Sequence, residues 1–468
     1  SQKTDPELQS LMKTIDNMNA ELAKMQKKDN KVSIQIGGDD EKDSPNTTSA
    51  QDTKDGAAQN FAGMKMGRSL YDKDREELAL KQIMSGKTGD PIQSVDISDS
   101  VAPITTRGQT TYVGAYSSSN TVPLGRISSN LFPATIVGQR QFAADYSTFI
   151  AAYIENDYQD WFGSALTGVD GTKYPANGQG AYLSTLFVYF MANLGHYTTA
   201  LIDIEVWQLD TPSIGDAFVT FGNIDTSPWF VSVGQYRPSV GTFGGGGPWT
   251  YSITTNMFRP NRVPNLAVNY KGDTATSNIA VFNSGNHPSF SVGYFDAISL
   301  FNMVQTGFSA GYVYDNRGLS SRFDNISTRV GQFDVDATLN LENIIPGSWN
   351  LGLGWATTTT KSSQYNGYSN TRAGAFSLQT AYAFKLFGKG QNINLSYGQT
   401  YDANDIPFVL PTMDDGMTPT PGIHRQYILS TQRAYLDDNV LVGPEYSRQE
   451  LYNHQKMNTF TLDLIVYI

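Results

Sequence analysis

Two stretches, TFTLDLIVYI (Thr459–Ile468) and FDVDATLNLE (Phe333–Glu342), alternate apolar and polar residues at the strand period. In the first, Phe460, Leu462, Leu464, Val466 and Ile468 share one face. Thr459, Thr461, Asp463 and Tyr467 share the other, with Ile465 as an apolar intruder. Successive side chains of a strand point to opposite sides, so the pattern is that of a surface with two different solvents. An edge strand of a soluble sandwich reads the same way. The second stretch fits a sandwich poorly. Phe333, Val335, Ala337, Leu339 and Leu341 oppose Asp334, Asp336, Thr338, Asn340 and Glu342 without exception. Its length is about that of one tilted bilayer crossing. The expectation is an all-β transmembrane barrel, apolar toward lipid and polar toward the lumen, with Thr459–Ile468 as its closing strand.

Composition agrees. The 468 residues include 26 Tyr, 24 Phe and 43 Gly, while charged residues are only 16%. Lipid-facing girdles and tight turns require such residues. No apolar run of about 18 residues suggests a transmembrane helix. The absence of cysteine removes thiolate metal sites, cysteine nucleophiles and disulfides. A net charge of −11 argues against nucleic acid as a partner. The start at Ser1 without a leader fits a mature chain whose signal has been removed.

Further alternation supports the barrel. Ala200, Ile202, Ile204 and Val206 oppose Asp203, Glu205 and Trp207, and similar patterns occupy Trp349–Trp355, Phe376–Phe384 and Asn392–Tyr397. Candidate strands from 183 to 468 number about sixteen, one of them at 249–257, and a barrel of that size is expected to keep an aqueous lumen. The long connections Asn316–Arg329, Thr359–Gly374 and Tyr401–Gly422 alternate with short ones near Pro346, Lys389 and Asp438. Long loops thus lie on one side, with both chain ends periplasmic. The parity fails once, at Arg237–Pro248, which is long where a short turn is due.

Ahead of the barrel (181–468), three regions are read. Residues 1–28 carry a helix start at Asp5-Pro6-Glu7, then Leu8, Leu11, Ile15, Met18, Leu22 and Met25 at spacings of three and four. That is a coiled-coil seam of three heptads, expected as a periplasmic oligomerisation helix. So short a helix needs self-association, and a trimer is preferred by analogy with porins. Residues 29–100 read as a polar linker with a short helix at Asp72–Met84. Residues 101–180 read as an N-terminal segment that either precedes the barrel or enters it as a plug.

The run VTFGNIDTSPWFVSVGQYRPSVGTFGGGGPWT (Val219–Thr250) resembles the LbtU-type siderophore porins, a family of outer-membrane barrels of gammaproteobacteria. The order of coiled coil, polar linker and barrel is similar as well. The resemblance implies uptake of a ferric siderophore without the TonB machinery. TonB-dependent receptors use barrels of about 22 strands with a folded plug, and the residues after Gly180 are too few for that. The remaining functions to weigh are a general or carbohydrate-selective porin, with Trp207 and Tyr467 as candidate lumen aromatics, and an adhesive or structural surface barrel.

Candidate pore-lining residues are of two kinds. Asp203, Glu205, Asp334 and Asp336 point inward by alternation. Arg237, Arg259 and Arg262 flank the Gly244–Gly247 run, whose glycines permit close backbone approach. One reading folds Thr242–Trp249 into the pore, so that the arginines form a basic constriction opposite the acidic wall and hold carboxylates bidentately. The other is a surface loop with solvated arginines. Catalytic chemistry is thin. His196, His287, His424 and His454 are scattered, no Gly-x-Ser-x-Gly elbow is present, and no Lys-Ser/Thr follows the glycines. No enzyme activity, cofactor or resident metal is expected.

Overall fold

The computed structural model describes residues 147–467 apart from 208–210, 224–225, 273–274, 301–303, 342–347, 388, 411–419 and 437–439. The expected coiled coil, linker and short helix lie outside these residues.

The described chain closes into a barrel of 16 antiparallel strands. They are β1 Ser147–Gly163, β2 Asn177–Asn193, β3 Thr198–Trp207, β4 Ser213–Phe221, β5 Trp229–Tyr236, β6 Val263–Lys271, β7 Ala275–Ser284 and β8 His287–Leu300. The second half comprises β9 Val304–Val313, β10 Gln332–Asn340, β11 Ser348–Thr358, β12 Gly374–Leu386, β13 Lys389–Tyr401, β14 Ile423–Ser430, β15 Val440–Leu451 and β16 Lys456–Tyr467. Strand β14 breaks at Thr431 and Gln432 and resumes at Arg433–Tyr435 between the same neighbours. Each strand pairs with its sequence neighbours. The ring closes where β1 pairs with β16, from Tyr153↔Tyr467 to Gly163↔Met457. Closure leaves no free edge, which a lipid-exposed sheet cannot tolerate.

Two expectations change. The barrel begins at Ser147 rather than at 181, because residues 147–163 form a wall strand and not a plug. Residues 249–257 are not a strand but part of an inward loop containing the helix α1, Ile253–Phe258. One strand is gained and one lost, so the count of sixteen stands while its membership shifts. The parity failure disappears with the same change. Residues 164–176, 237–262, 314–331, 359–373, 402–410 and 420–422 now all lie at one end, and residues 194–197, 272, 387 and 436 at the other.

The outer face is a band of exposed aliphatics, including Val233, Leu266, Ile279, Leu353, Ile393 and Leu429. Aromatic rings border it at both ends. At the long-loop end the contacts Phe290–Tyr312, Phe333–Trp355, Phe376–Tyr397 and Tyr397–Tyr427 lie 5.2–6.1 Å apart. At the short-turn end, Trp229 meets Tyr270 at 5.1 Å and Tyr382 meets Phe384 at 5.5 Å. An aliphatic band between two aromatic girdles is the surface a bilayer selects, since amphipathic rings settle at the headgroup level.

The long loops pack over their end of the barrel. Phe323 lies 5.7 Å from Phe258 of α1 and 6.3 Å from Tyr365, with Ile406 and Phe408 buried in the same cluster. Asp315 ties the base of loop 314–331. Burial pushes its carboxyl up, but hydrogen bonds from the Arg317 side chain and from the Arg317 and Val330 N–H groups more than reverse this, holding it below the usual range.

Gln159 of β1 donates to Thr461 of β16 at 3.1 Å across the seam. In this cysteine-free chain, Gln159→Cys with Thr461→Cys should form a disulfide on mild oxidation. The unfolded protein should then migrate anomalously on a non-reducing gel, and an open seam would give no such species.

Candidate functional site: an inward belt on the barrel wall

Residues 237–248 are all buried. After Tyr236 the chain turns inward and runs around the inner wall as a belt, crossing one strand after another. Asn278 of β7 donates to the Ser239 carbonyl at 2.9 Å. The Ser239 and Val240 carbonyls then press on Gly293 of β8 and Gly311 of β9, where any Cβ would collide with them. At β10, Asp336 accepts the N–H groups of Thr242, Phe243 and Gly244 at 3.2, 3.1 and 3.3 Å. Phe243 adopts φ 50°, so that three successive N–H groups converge on one carboxylate, a backbone nest. Ser377 of β12 donates to the Gly244 carbonyl at 3.0 Å. At β13, Ser396 accepts from Gly246 N–H at 3.0 Å and Asn394 donates to the Gly246 carbonyl at 2.9 Å. At β15, Glu445 accepts the N–H groups of Trp249 and Thr250 at 2.9 and 3.0 Å.

The dimensions are self-consistent. Strands stand roughly 4.8 Å apart, and an extended chain advances about 3.3–3.6 Å per residue. Slightly more than one belt residue per strand is therefore needed, fewer on the smaller inner circumference, and Ser239 to Thr250 spans β7 to β15 on that scale. The return limb begins with α1. Ser252 caps it, accepting Thr255 N–H at 3.1 Å, and Ser252 and Thr255 hydroxyls both donate to the Phe243 carbonyl. Asn256, Asn261 and Arg322 then tie α1 and its exit to the other long loops.

The sequence-predicted residues fall into two groups. Arg262, at the end of the return limb, sits on β3 and β4. Its guanidinium lies 2.8 Å from Glu205, 3.0 Å from Asp216 and 3.8 Å from Asp203. Arg237 donates to the Pro260 carbonyl, and Arg259 lies 5.2 Å from the Tyr251 ring centroid. Asp334 and Asp336 line β10 beneath the belt. Asp334 is fully buried against Gly241, with the Asp336 carboxyl beside it as its side-chain hydrogen-bond partner. The expected basic constriction facing an acidic wall is thus not the arrangement found: Arg262 is bound to the acidic wall itself.

Sequence reasoning missed Glu445, Asp216 and the polar wall residues Ser377, Asn394 and Ser396. They are ordinary inward positions whose role depends on where the belt passes. Trp207 packs edge-on against Phe187 at 5.3 Å, and Phe187 stacks on Tyr189 at 5.9 Å. The lumen is not simply aqueous. Inward residues as far apart as Asp203, Ser309, Asn394 and Thr459 are withdrawn from solvent.

The family described as "Protein of unknown function (DUF3573)" has a model that matches residues 1–332. The chain belongs to that family. Among curated proteins none matches the sequence. The DUF3573 chain is similar to the outer membrane channel DcaP of Acinetobacter baumannii, at 13% identity over 69% of this chain and 98% of that one, with a TM-score of 0.46. It is similar to the Salmonella typhi OmpF in a complex with daunomycin, at 12% identity over 69% and 98%, TM-score 0.44. It is also similar to a triple mutant of the Rhodopseudomonas blastica porin, at 11% identity over 69% and 100%, TM-score 0.42.

Arg262 decides the electrostatics of the β3–β4 wall. Arg262→Met should leave three buried carboxylates without their shared cation and cost about 3–5 kcal/mol. Arg262→Lys, a point charge without the fork, should fall between. Urea midpoints of the detergent-solubilised protein measure both, and equal midpoints for all three proteins would contradict the assignment.

Proposed function

We propose that this DUF3573 chain is a bacterial outer-membrane porin whose bore is narrowed by the 237–262 belt, and that it passes small solutes selectively. The observation that carries the reading is a closed barrel, apolar and girdled outside, with a polar interior into which a loop has folded. Selectivity in such a pore comes from its diameter and from the charges on its wall.

The solute to test first is a ferric siderophore of the polycarboxylate class, taken up without TonB. The resemblance of Val219–Thr250 to LbtU-type porins supports it, and that run contains the outgoing limb of the belt. Arg237 and Arg259, on the same loop as Arg262, are the cations to test for contact with a carboxylate ligand. A second reading, a carbohydrate-selective porin, is favoured by the inward Phe187–Trp207 contact. Residues 1–28 are proposed to join three barrels through a periplasmic coiled coil. Their deletion should lower the particle mass in light scattering and leave the barrel folded.

Single-channel recording in a planar bilayer tests the reading. Stepwise conductance blocked by the ferric siderophore supports siderophore uptake, block by oligosaccharide and its loss in Trp207→Ala supports the second reading, and absence of any conductance refutes the porin. Replacing Arg237, Arg259 and Arg262 with Ala should shift the reversal potential toward cation selectivity. An unchanged potential would remove these residues from the permeation path.

A further inference from the structure

Where the first and last strands meet, two carboxylates stand opposite one another. Asp157 of β1 pairs in register with Asp463 of β16. Glu155, two residues before Asp157, lies on the same inward face. All three are buried, and one carboxylate oxygen from each lies within 4.8 Å of the others. Like charges directly opposite across an antiparallel pair destabilise it, and burial removes the water that would screen them. Asp157 and Asp463 also hydrogen-bond to one another, which two carboxyl groups do only when a proton, or in its place another cation, stands between them.

Free oxygens point to what occupies the gap. One oxygen of Asp157 accepts from Ser184 of β2, while the other, Oδ1, has no partner although the residue is 3% exposed. Gln432, in the break of β14, donates through Nε2 to Asp463, and its Oε1 has no partner although the residue is 1% exposed. A carboxylate oxygen and an amide oxygen, both buried and both unused, are hard donors beside a concentrated negative charge.

We propose that Glu155, Asp157 and Asp463 hold a calcium ion that staples the barrel seam from inside. Hard oxygen donors exclude soft metals. Calcium binds oxygen at about 2.3–2.6 Å, so two ligands on opposite sides of it stand roughly 4.6–5.2 Å apart and adjacent ones closer; magnesium, at about 2.0–2.1 Å, needs a tighter and nearly octahedral set. Calcium also accepts the irregular coordination that two strands and a side-chain amide would supply. The ion joins the two ends of the sheet, so it closes the ring electrostatically as the strand ladder closes it by hydrogen bonds. The inference is independent of which solute the barrel carries.

The test uses the full chain in detergent micelles. The wild type should bind about one Ca2+ with a dissociation constant of about 10⁻⁴–10⁻³ M, and should unfold at a higher temperature in Ca2+ than in EDTA. This comparison needs no variant. Asp157→Asn with Asp463→Asn should weaken binding at least about tenfold, abolish the Ca2+ shift, and in EDTA unfold no earlier than the wild type, because the opposed charges are gone. Three results would overturn the proposal: a wild-type unfolding temperature indifferent to Ca2+, unchanged Ca2+ affinity in the double variant, or an equal shift with Mg2+ at the same concentration.

Discussion

A chain segment inside a barrel must find partners for its own backbone, because neither lipid nor a narrow lumen supplies enough water. The Asp336 carboxylate, taking three consecutive N–H groups of the belt, is the interaction on which the interior depends. Buried peptide groups left without partners cost about 1–3 kcal/mol each. Asp336 removes that cost at the sharpest point of the belt, where Phe243 is held at positive φ. Glu445 does the same for Trp249 and Thr250 at the far end. Between the two anchors, hydroxyl and amide side chains of β12 and β13 satisfy Gly244 and Gly246. The belt is therefore a second ring of hydrogen bonds laid inside the first.

Such contact is possible only where both surfaces are thin. On the wall, Gly293 and Gly311 let carbonyl oxygens of the belt reach the sheet backbone; on the belt, Gly241 and Gly247 fit against Asp334 and Glu445. Glycines thus stand on both surfaces, and the positions of Gly293 and Gly311 on their strands are fixed by a loop distant in sequence. The outer face obeys a different constraint. It presents aliphatics between aromatic rings because its partner is a fluid hydrocarbon layer, which needs no specific fit.

This difference explains what the sequence disclosed. The outer face repeats every second residue, so Phe333–Glu342 and Thr459–Ile468 were legible as strands, and the inward direction of Asp203, Glu205, Asp334 and Asp336 followed. Strand β1 was harder to read because Asn156 and Asp160 fall on its outward face beside Tyr158 and Phe162, breaking the alternation. Residues 249–257 failed in the opposite way. Trp249, Tyr251 and Ile253 alternate with Thr250, Ser252 and Thr254 as a strand would, yet Ser252 caps a helix whose hydroxyls bind the belt. Tertiary hydrogen bonding overrode local pattern. The long connection at Arg237–Pro248, out of parity with its neighbours, is the trace that the inward loop leaves in the sequence. Pairing inside the lumen has no period at all, which is why Arg262 joining Asp203, Glu205 and Asp216 could not be read from spacing.

The inward carboxylates are disposed of by different means around the ring, and their distribution follows the belt. On β3 and β4 three of them share the Arg262 guanidinium. On β10 and β15, Asp336 and Glu445 receive backbone N–H groups, a partner that carries only partial charge but is fixed in place. The belt's outgoing limb is bonded from β7 to β15, and its return limb reaches β3 and β4 through Arg262, leaving the stretch from β15 through the seam to β2 without one of its anchors. There Asp157 and Asp463 face each other, and a side chain cannot be borrowed from the belt to separate them. Among the described residues, the wall thus brings carboxyl groups of its first and last strands together at the junction of its two ends. An exchangeable cation at that point would make closure of the barrel respond to the ionic composition outside the cell membrane, while the belt, anchored by the chain's own groups, would not.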